Sequence, residues 1–507
     1  MAYSVQDEAE KLLLEGIINN PLLSGLPADV VRNVSKVKFI GSPSPSIPIP
    51  WRFAESISAL KGLESAFINT LLIRKYNKQP ANIEINATKD GGYYHIHGSL
   101  NPDPTITALG LPFDRETKDY DDSCAPYIEK AGQLNSGEID SLMNDKYRQA
   151  GTICWTKEEY AASEHGKANA HVGLYQLHHV PNDAQPACWW SDTSETSPER
   201  PLSGLKVVDL TRIIAAPTIT RGLAELGASV MRVTTPHIAD LTTTHVDLNW
   251  GKWNSKLDLR QEEDREKLKA LILDADVVVE GYRPGIMAKY GFGKEDILKM
   301  CAGRDRGIIH VRENCYGWQG PWMGRSGWQQ ISDACCGVSM EFGRAMGNDE
   351  AVTPILPNSD YCTGVIGICA VLNALLERGE KGGSYAIDVA LNYYSQWLVN
   401  SCGTYPPDVW EALWAHHGKP VFRHYHNMVY TIPELLMLLA KNSASALFQP
   451  SFFEIRESKA VNTRFKTLKP ILNFEGNQVR LGYNVGTRSN WVDKPVWPED
   501  LQIEVIA

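Results

Sequence analysis

The residue with the clearest chemical promise is an aspartate at the start of an apolar helix. Pro354 and Pro357 lead through the polar turn Asn358-Ser359-Asp360-Tyr361 into a run with helical spacing over 361–378. Asp360 is therefore expected at or beside the helix N-terminus. There it accepts backbone N–H bonds, meets the positive end of the macrodipole and stays ionised. Two roles fit that position: an N-cap, or a carboxylate held ready as nucleophile toward an activated carbonyl. Gly364 and Gly367 lie on the same helix and read as helix-packing residues or as room for a thin ligand.

Other chemistry-bearing residues point elsewhere less strongly. Histidines pair at 95/97, 178/179, 416/417 and 424/426. His95-Ile96-His97 places two imidazoles on one strand face, yet no cysteine or acid follows at a zinc-signature spacing. These histidines read as structural, and no metal centre is expected. The adjacent Cys335-Cys336 is not a C-x-x-C motif and reads as two small apolar residues. The sequence holds no G-x-S-x-G elbow, no P-loop and no G-x-G-x-x-G after its first strand. Serine hydrolysis, nucleotide hydrolysis and ordinary NAD binding lose ground accordingly.

The elements that must position Asp360 are legible from Pro201 onward. Leu205 to Leu210 is a β-branched run, and Pro217 to Leu226 follows with helical spacing and proline in its first turn. Ser229–Val233, Val277–Glu280 and Ile308–Val311 read as further strands, with a charged helix over Gln261–Leu273 whose 260–268 face is solvated. Strands separated by such helices imply βαβ units and a parallel sheet covered on both faces. Ligands of such sheets collect at strand carboxyl ends, here the loops after Leu210, Val233, Glu280 and Val311. Upstream, Glu55 to Tyr76 reads as a helix, while Ile83–Ala87 and Tyr93–Gly98 alternate as half-buried strands, an α+β pattern. The proline-rich 41–51, the polar 190–201 and the segment 403–421 read as boundaries.

Composition narrows the class. Its 507 residues allow roughly two to four domains at about 150 residues each. A formal charge of −10 argues against a nucleic-acid binder. Ten cysteines are too sparse for a disulfide scaffold. The N-terminus carries Asp7, Glu8 and Glu10 where a signal peptide would be basic, and reads as an amphipathic helix. Val365 to Leu376 is shorter than the roughly twenty residues of a bilayer span. A cytoplasmic protein without a membrane partner is expected.

Six blocks in order over 201–392 resemble family III CoA-transferases, the CaiB/BaiF group that includes formyl-CoA transferase and α-methylacyl-CoA racemase. Pro201 to Arg212 with Ala215-Ala216-Pro217 is similar to "PLxGxxVxDxTxxxAxP", and Ala224-Glu225-Leu226-Gly227-Ala228 to "LADLGA". Asn249-Trp250-Gly251-Lys252 with Leu257-Asp258-Leu259 is similar to "NxxKxxxxxDL". Ala275 to Glu280, Tyr282 to Gly285 and Gly291-Phe292 resemble "ADVxxENFRPGxxxxLG", and Tyr316 to Pro321 "GFGxxGP". Asp360, Gly364, Ala374 to Arg378, Gly382 to Ser384 and Asp388 to Leu391 complete the match.

The resemblance implies an α/β fold: a Rossmann-like parallel sheet domain plus a smaller α+β domain, the CoA-transferase family III fold. It divides the chain into a helical, Pro-rich segment at 1–50, a small α+β domain at 51–190 resembling the family's back half, a Rossmann-like domain at 191–402 resembling its front half, and a crossing segment at 403–507. Ordinary members interlock two chains; here the halves run in reversed order, so one chain holds both pieces, and a homodimer is the other arrangement expected.

It also makes Asp360 the nucleophile on an acyl-CoA thioester. Coenzyme A is then a co-substrate beside a small carboxylic acid, with no permanently bound cofactor. CoA contacts carry over to Ile214, Ala215, Trp250, Gly251, Lys252, Gly281, Tyr282, Arg283, Lys289, Asn314, Cys315, Tyr316 and Gly317. Lys252, Arg283 and Lys289 are the cations expected to meet CoA phosphates. Gly327-Trp328-Gln329 stands where the racemase branch has its "GHD" histidine, which disfavours racemisation and makes Trp328 and Gln329 substrate-pocket residues. Gly281 replaces the usual "ENF" asparagine, and Trp253 a usual cation; Trp328, Trp250 and Trp253 together suit an apolar pocket. CoA transfer through Asp360 is the leading expectation. The alternatives are CoA-independent isomerase, lyase or cyclase chemistry on this scaffold, and a non-catalytic binding protein.

Overall fold

The structure is a computed structural model that describes residues 3–86, 97, 99–113 and 116–507. Seven strands form its central sheet: β1 (Gln176–Val180), β2 (Lys206–Leu210), β3 (Ser229–Thr234), β4 (Lys252–Lys256), β5 (Val277–Glu280), β6 (Ile309–Asn314) and β7 (Ser384–Ala390). They lie in the order β1-β7-β6-β5-β2-β3-β4. Only β1, which pairs with β7, runs antiparallel. Strands β2, β5 and β7 have almost every residue buried, as a sheet covered on both faces requires.

Strand alternation sorts the residues onto two layers. Val207, Val279, Ile309 and Val311 face α2 (Ala215–Glu225) and α6 (Asn358–Lys381). Val208, Leu210, Met231 and Val278 face α3 (Glu262–Leu273) and α4 (Lys294–Cys301). A further helix, α1 (Phe53–Tyr76), covers α6 from outside, and the same apolar core runs through α1, α6, α2 and the sheet. A short α5 (Gln329–Cys335) packs beside the head of α6. Among the described residues α6 is the one helix long and apolar enough to cross a membrane, and 89% of its most apolar stretch is buried inside the protein.

The expected strands and helices from Pro201 onward are present within a few residues. The strand Lys252–Lys256 was not anticipated, since its side chains follow no apolar pattern. The helix expected at 55–76 forms over Phe53–Tyr76. Ile83–Asn86 is a strand, paired with Val37–Ile40 and with Leu472–Phe474, so the chain's two ends meet in one small sheet. Ala87, His95 and the strand expected at 93–98 lie outside the described residues, His97 apart.

Candidate active site

Strand order reverses between β2 and β5, so the connections from these strands leave in opposite directions and open a crevice at their carboxyl ends. A cavity of about 780 Å³ fills that position. Its walls come from the loops after β2 (Arg212 to Ala215), β3 (His237 to Ala239) and β5 (Gly281 to Pro284), and from the end of β6 (Glu313 to Cys315). These are the four strand ends expected from the sequence. Ser99, Leu100 and Asn101 reach over from the N-terminal part of the chain. Trp328 holds that cover down: its ring stacks on His97 at 5.3 Å, and its Nε1 donates to Ser99 Oγ at 3.3 Å. Ile213 has φ of +76°, a strained conformation for a β-branched residue, of the kind that concentrates at functional sites.

Asp360 lines this cavity from the first turn of α6. Its carboxylate neither caps the helix nor hydrogen-bonds any described residue, and the residue before the helix is Pro357. The expectation that Asp360 stays ionised is corrected. Desolvation, reinforced by the neighbouring Glu313 and Asp333 carboxyls, pushes it well above the usual carboxylate range. These effects outweigh the helix dipole, which contributes only a few tenths to about 2 kcal/mol.

The two neighbouring acids differ in their surroundings. Asp333 on α5 is buried and accepts hydrogen bonds from Ser359 Oγ at 2.6 Å, Gln329 Nε2 at 2.5 Å and Ser395 Oγ at 3.2 Å. Burial still raises it to about 7. Glu313 lines the cavity and hydrogen-bonds no described residue, and burial alone raises it to about 8. The sequence offered a sign of Glu313: it continues the Ile309, Val311 alternation at a strand's carboxyl end.

The expected contact residues separate into two groups. Ile214, Ala215, Gly281, Tyr282, Arg283, Asn314, Cys315 and Trp328 line the cavity with Asp360. Trp250, Gly251, Lys252, Lys289, Tyr316, Gly317 and Gln329 do not. Lys252, expected to face a phosphate, is instead enclosed: its Nζ lies 2.9 Å from Asp209 Oδ2 and 2.9 Å from the Pro217 carbonyl, with both side chains 0% exposed. Trp250 stacks on Tyr483, Gly251 packs against Ala224 and Tyr483, and buried Trp253 donates to the Ile503 carbonyl, so neither tryptophan shapes the pocket. Lys289 is exposed on a turn away from the cavity. Tyr316 is buried with its hydroxyl on the Gly151 carbonyl. Gly317 is tied back to Asn314, and Gln329 turns inward to Asp333.

Other cations take the place of Lys252. Arg212 and Arg325, passed over in the sequence, line the cavity with Arg283. Arg325 is paired with Asp140 at 2.9 Å, and Arg283 donates to the Arg148 carbonyl. Arg212 stands apart: its Nε and Nη2 are buried and hydrogen-bond no described residue. A guanidinium left in that state is a strong site for an anionic ligand.

Residues 202–413 match the family described as CoA-transferase family III. The acetyl-coenzyme A transferase nodX of Hypoxylon pulicicidum is 48% identical over 99% of this chain and 95% of its own. The chain belongs to CoA-transferase family III. An acyl-CoA transferase of Gibberella moniliformis is 35% identical over 62% of this chain and 56% of its own. Among solved structures, a CAIB/BAIF family protein from Brucella suis shares 26% identity over 44% of this chain and 59% of its own, with a TM-score of 0.35. Membership in the family makes the chain an enzyme of the transferase class.

Proposed function

We propose that this enzyme moves CoA from an acyl-CoA to a second carboxylic acid, with Asp360 as the nucleophile. The observation that carries this proposal is the position of Asp360: an unbonded carboxylate at the head of α6, open to the cavity at the switch point of the sheet. A carboxylate oxygen of Asp360 attacks the thioester carbonyl, the C–S bond breaks, and CoA leaves with the sulfur electron pair. The mixed anhydride is then reopened by CoA sulfur at the aspartyl carbonyl, which releases the donor acid. The acceptor acid repeats the sequence in reverse.

Arg212 supports the reading, since its unpaired guanidinium would hold a carboxylate or a phosphate of the incoming ligand. The name of the Hypoxylon relative suggests acetyl-CoA as the donor to try first. With acetyl-CoA and isotopically labelled acetate, the wild type should carry label into acetyl-CoA, and Asp360→Asn should carry none. Absence of exchange in the wild type across a panel of short acids would contradict the proposal.

A second reading, CoA-independent isomerase or lyase chemistry, draws on the Asp360 and Glu313 acid pair. It predicts turnover of a carbonyl substrate with no label exchange at all.

A further inference from the structure

We propose that Glu313 is a second catalytic residue of this site: it protonates the departing CoA sulfur and takes the proton back when that sulfur attacks. This rests on the transferase reading of Asp360. The fold places the two acids together through separate elements. Strand alternation on β6 puts Glu313 on the same face as Ile309 and Val311, the face covered by α6. The first turn of α6 carries Asp360, and both acids line the one cavity.

The Glu313 carboxylate lies beside Gly281, at the carboxyl end of β5. Its Oε2 lies 3.6 Å from the point a β-carbon on Gly281 would occupy, and that β-carbon would also meet Ala216 at 2.8 Å. A larger residue at 281 would compete for the space that Glu313 uses. The Glu313 carboxyl hydrogen-bonds no described residue, although burying such a group unpaired is costly. Among the described residues, Arg212, Arg283, Arg325, His237, Tyr282 and Cys315 are the other titratable or charged groups on the cavity wall.

Charge accounting explains why the pair suits thioester chemistry. Two close, poorly solvated carboxyls resist double ionisation and share a proton. The reactive arrangement has the shared proton on Glu313: ionised Asp360 attacks, its negative charge is consumed in the anhydride, the C–S bond breaks, and the sulfur receives the Glu313 proton. The products are the anhydride, CoA thiol and a Glu313 carboxylate, so the pair carries one negative charge before and after. In the next step that carboxylate removes the thiol proton as sulfur attacks the aspartyl carbonyl. Burial supports this by holding Glu313 at about 8, near the range of a thiol.

The test compares acylation of Asp360 by acetyl-CoA and by phenyl thioacetate, whose more acidic thiol leaves without help. Acyl-Asp360 is trapped with hydroxylamine and counted by peptide mass. Glu313→Gln should slow acylation by acetyl-CoA about a hundredfold or more, as loss of a general acid does, and leave acylation by phenyl thioacetate within about threefold. In the wild type the rate should depend little on the acidity of the leaving thiol, a measurement that needs no variant. An equal loss with both thioesters, no loss with either, or a steep wild-type dependence on thiol acidity overturns the role of Glu313. A wild type that forms no adduct with either thioester overturns the transferase reading itself, and Glu313 with it.

Discussion

Gly364 on α6 packs against Thr218 on α2 so closely that a β-carbon at 364 would lie 2.4 Å from the Thr218 Cβ and 3.0 Å from the Ala215 carbonyl. This contact seats the head of α6, and Asp360 with it, over the β2 loop. Gly364→Ala should therefore cost about 1–3 kcal/mol through forced separation of the helices. Urea unfolding measures this directly. Gly303→Ala, with no atom within 4 Å of its new methyl, serves as the control and should stay within about 0.5 kcal/mol.

The Lys252–Asp209 pair is a structural prop and not a ligand contact. Thr211 and Thr220 also donate to Asp209, at 2.5 and 2.6 Å, so both Asp209 oxygens are hydrogen-bonded while the pair is shut off from water. Lys252→Ala leaves a buried carboxylate without its counter-charge and should cost about 3–5 kcal/mol. Lys252→Met combined with Asp209→Asn should cost less than Lys252→Ala alone. A thermal unfolding series of these variants checks both statements.

Asp333 gives stability a recognisable pH dependence. Its folded value of about 7 lies above the ordinary aspartate value of about 3.9, so the native state keeps a proton that the unfolded state releases. The stability from this group is complete below about pH 4 and is lost progressively as pH rises to about 7, on the order of 4 kcal/mol in all. Asp333→Asn cannot ionise and keeps the size of the side chain. The Tm of this variant relative to wild type should therefore climb between about pH 4.5 and 7.5. Parallel curves would show that Asp333 is ionised in the folded protein.

Arg212 should trade stability for binding. Its buried Nε and Nη2 hydrogen-bond no described residue, and desolvation lowers its pKa. Arg212→Met removes that unpaired charge and should stabilise the ligand-free protein by on the order of 1–3 kcal/mol. The same variant should raise the KM for the anionic substrate by about tenfold or more, the loss of one charge-assisted hydrogen-bond set. Melting curves and steady-state kinetics on the same preparation test the two halves together.

Much of this arrangement was legible in the sequence because it depends on local patterns. The β-branched runs 205–210 and 277–280 are buried on both faces, and such runs announce parallel strands and hence the loops that wall the cavity. Lys252 was misplaced because a motif gives a residue's type and not its direction. Its strand, Lys-Trp-Asn-Ser-Lys, owes its place to partners such as Asp209, which lies 43 positions away. Glu313 lies past the strand expected over Ile308–Val311; the structure extends that strand to Asn314 and brings Glu313 under α6. The upward shift of Asp360 is beyond local reading, since it depends on desolvation and on acids contributed by β6 and α5.

The central claim is that Asp360 forms a bond to the acyl group. Because Asp360 must lose its proton while Glu313 keeps its own, acylation by acetyl-CoA should speed up as pH rises above the usual carboxylate range and slow again above about 8. The most direct measurement is a hydroxylamine quench of the full-length enzyme mixed with acetyl-CoA, followed by mass analysis of the peptide containing Asp360. A hydroxamate on Asp360, absent without acetyl-CoA and absent in Asp360→Asn, is the predicted result. CoA exchange by the wild type with Asp360 unmodified would contradict the claim.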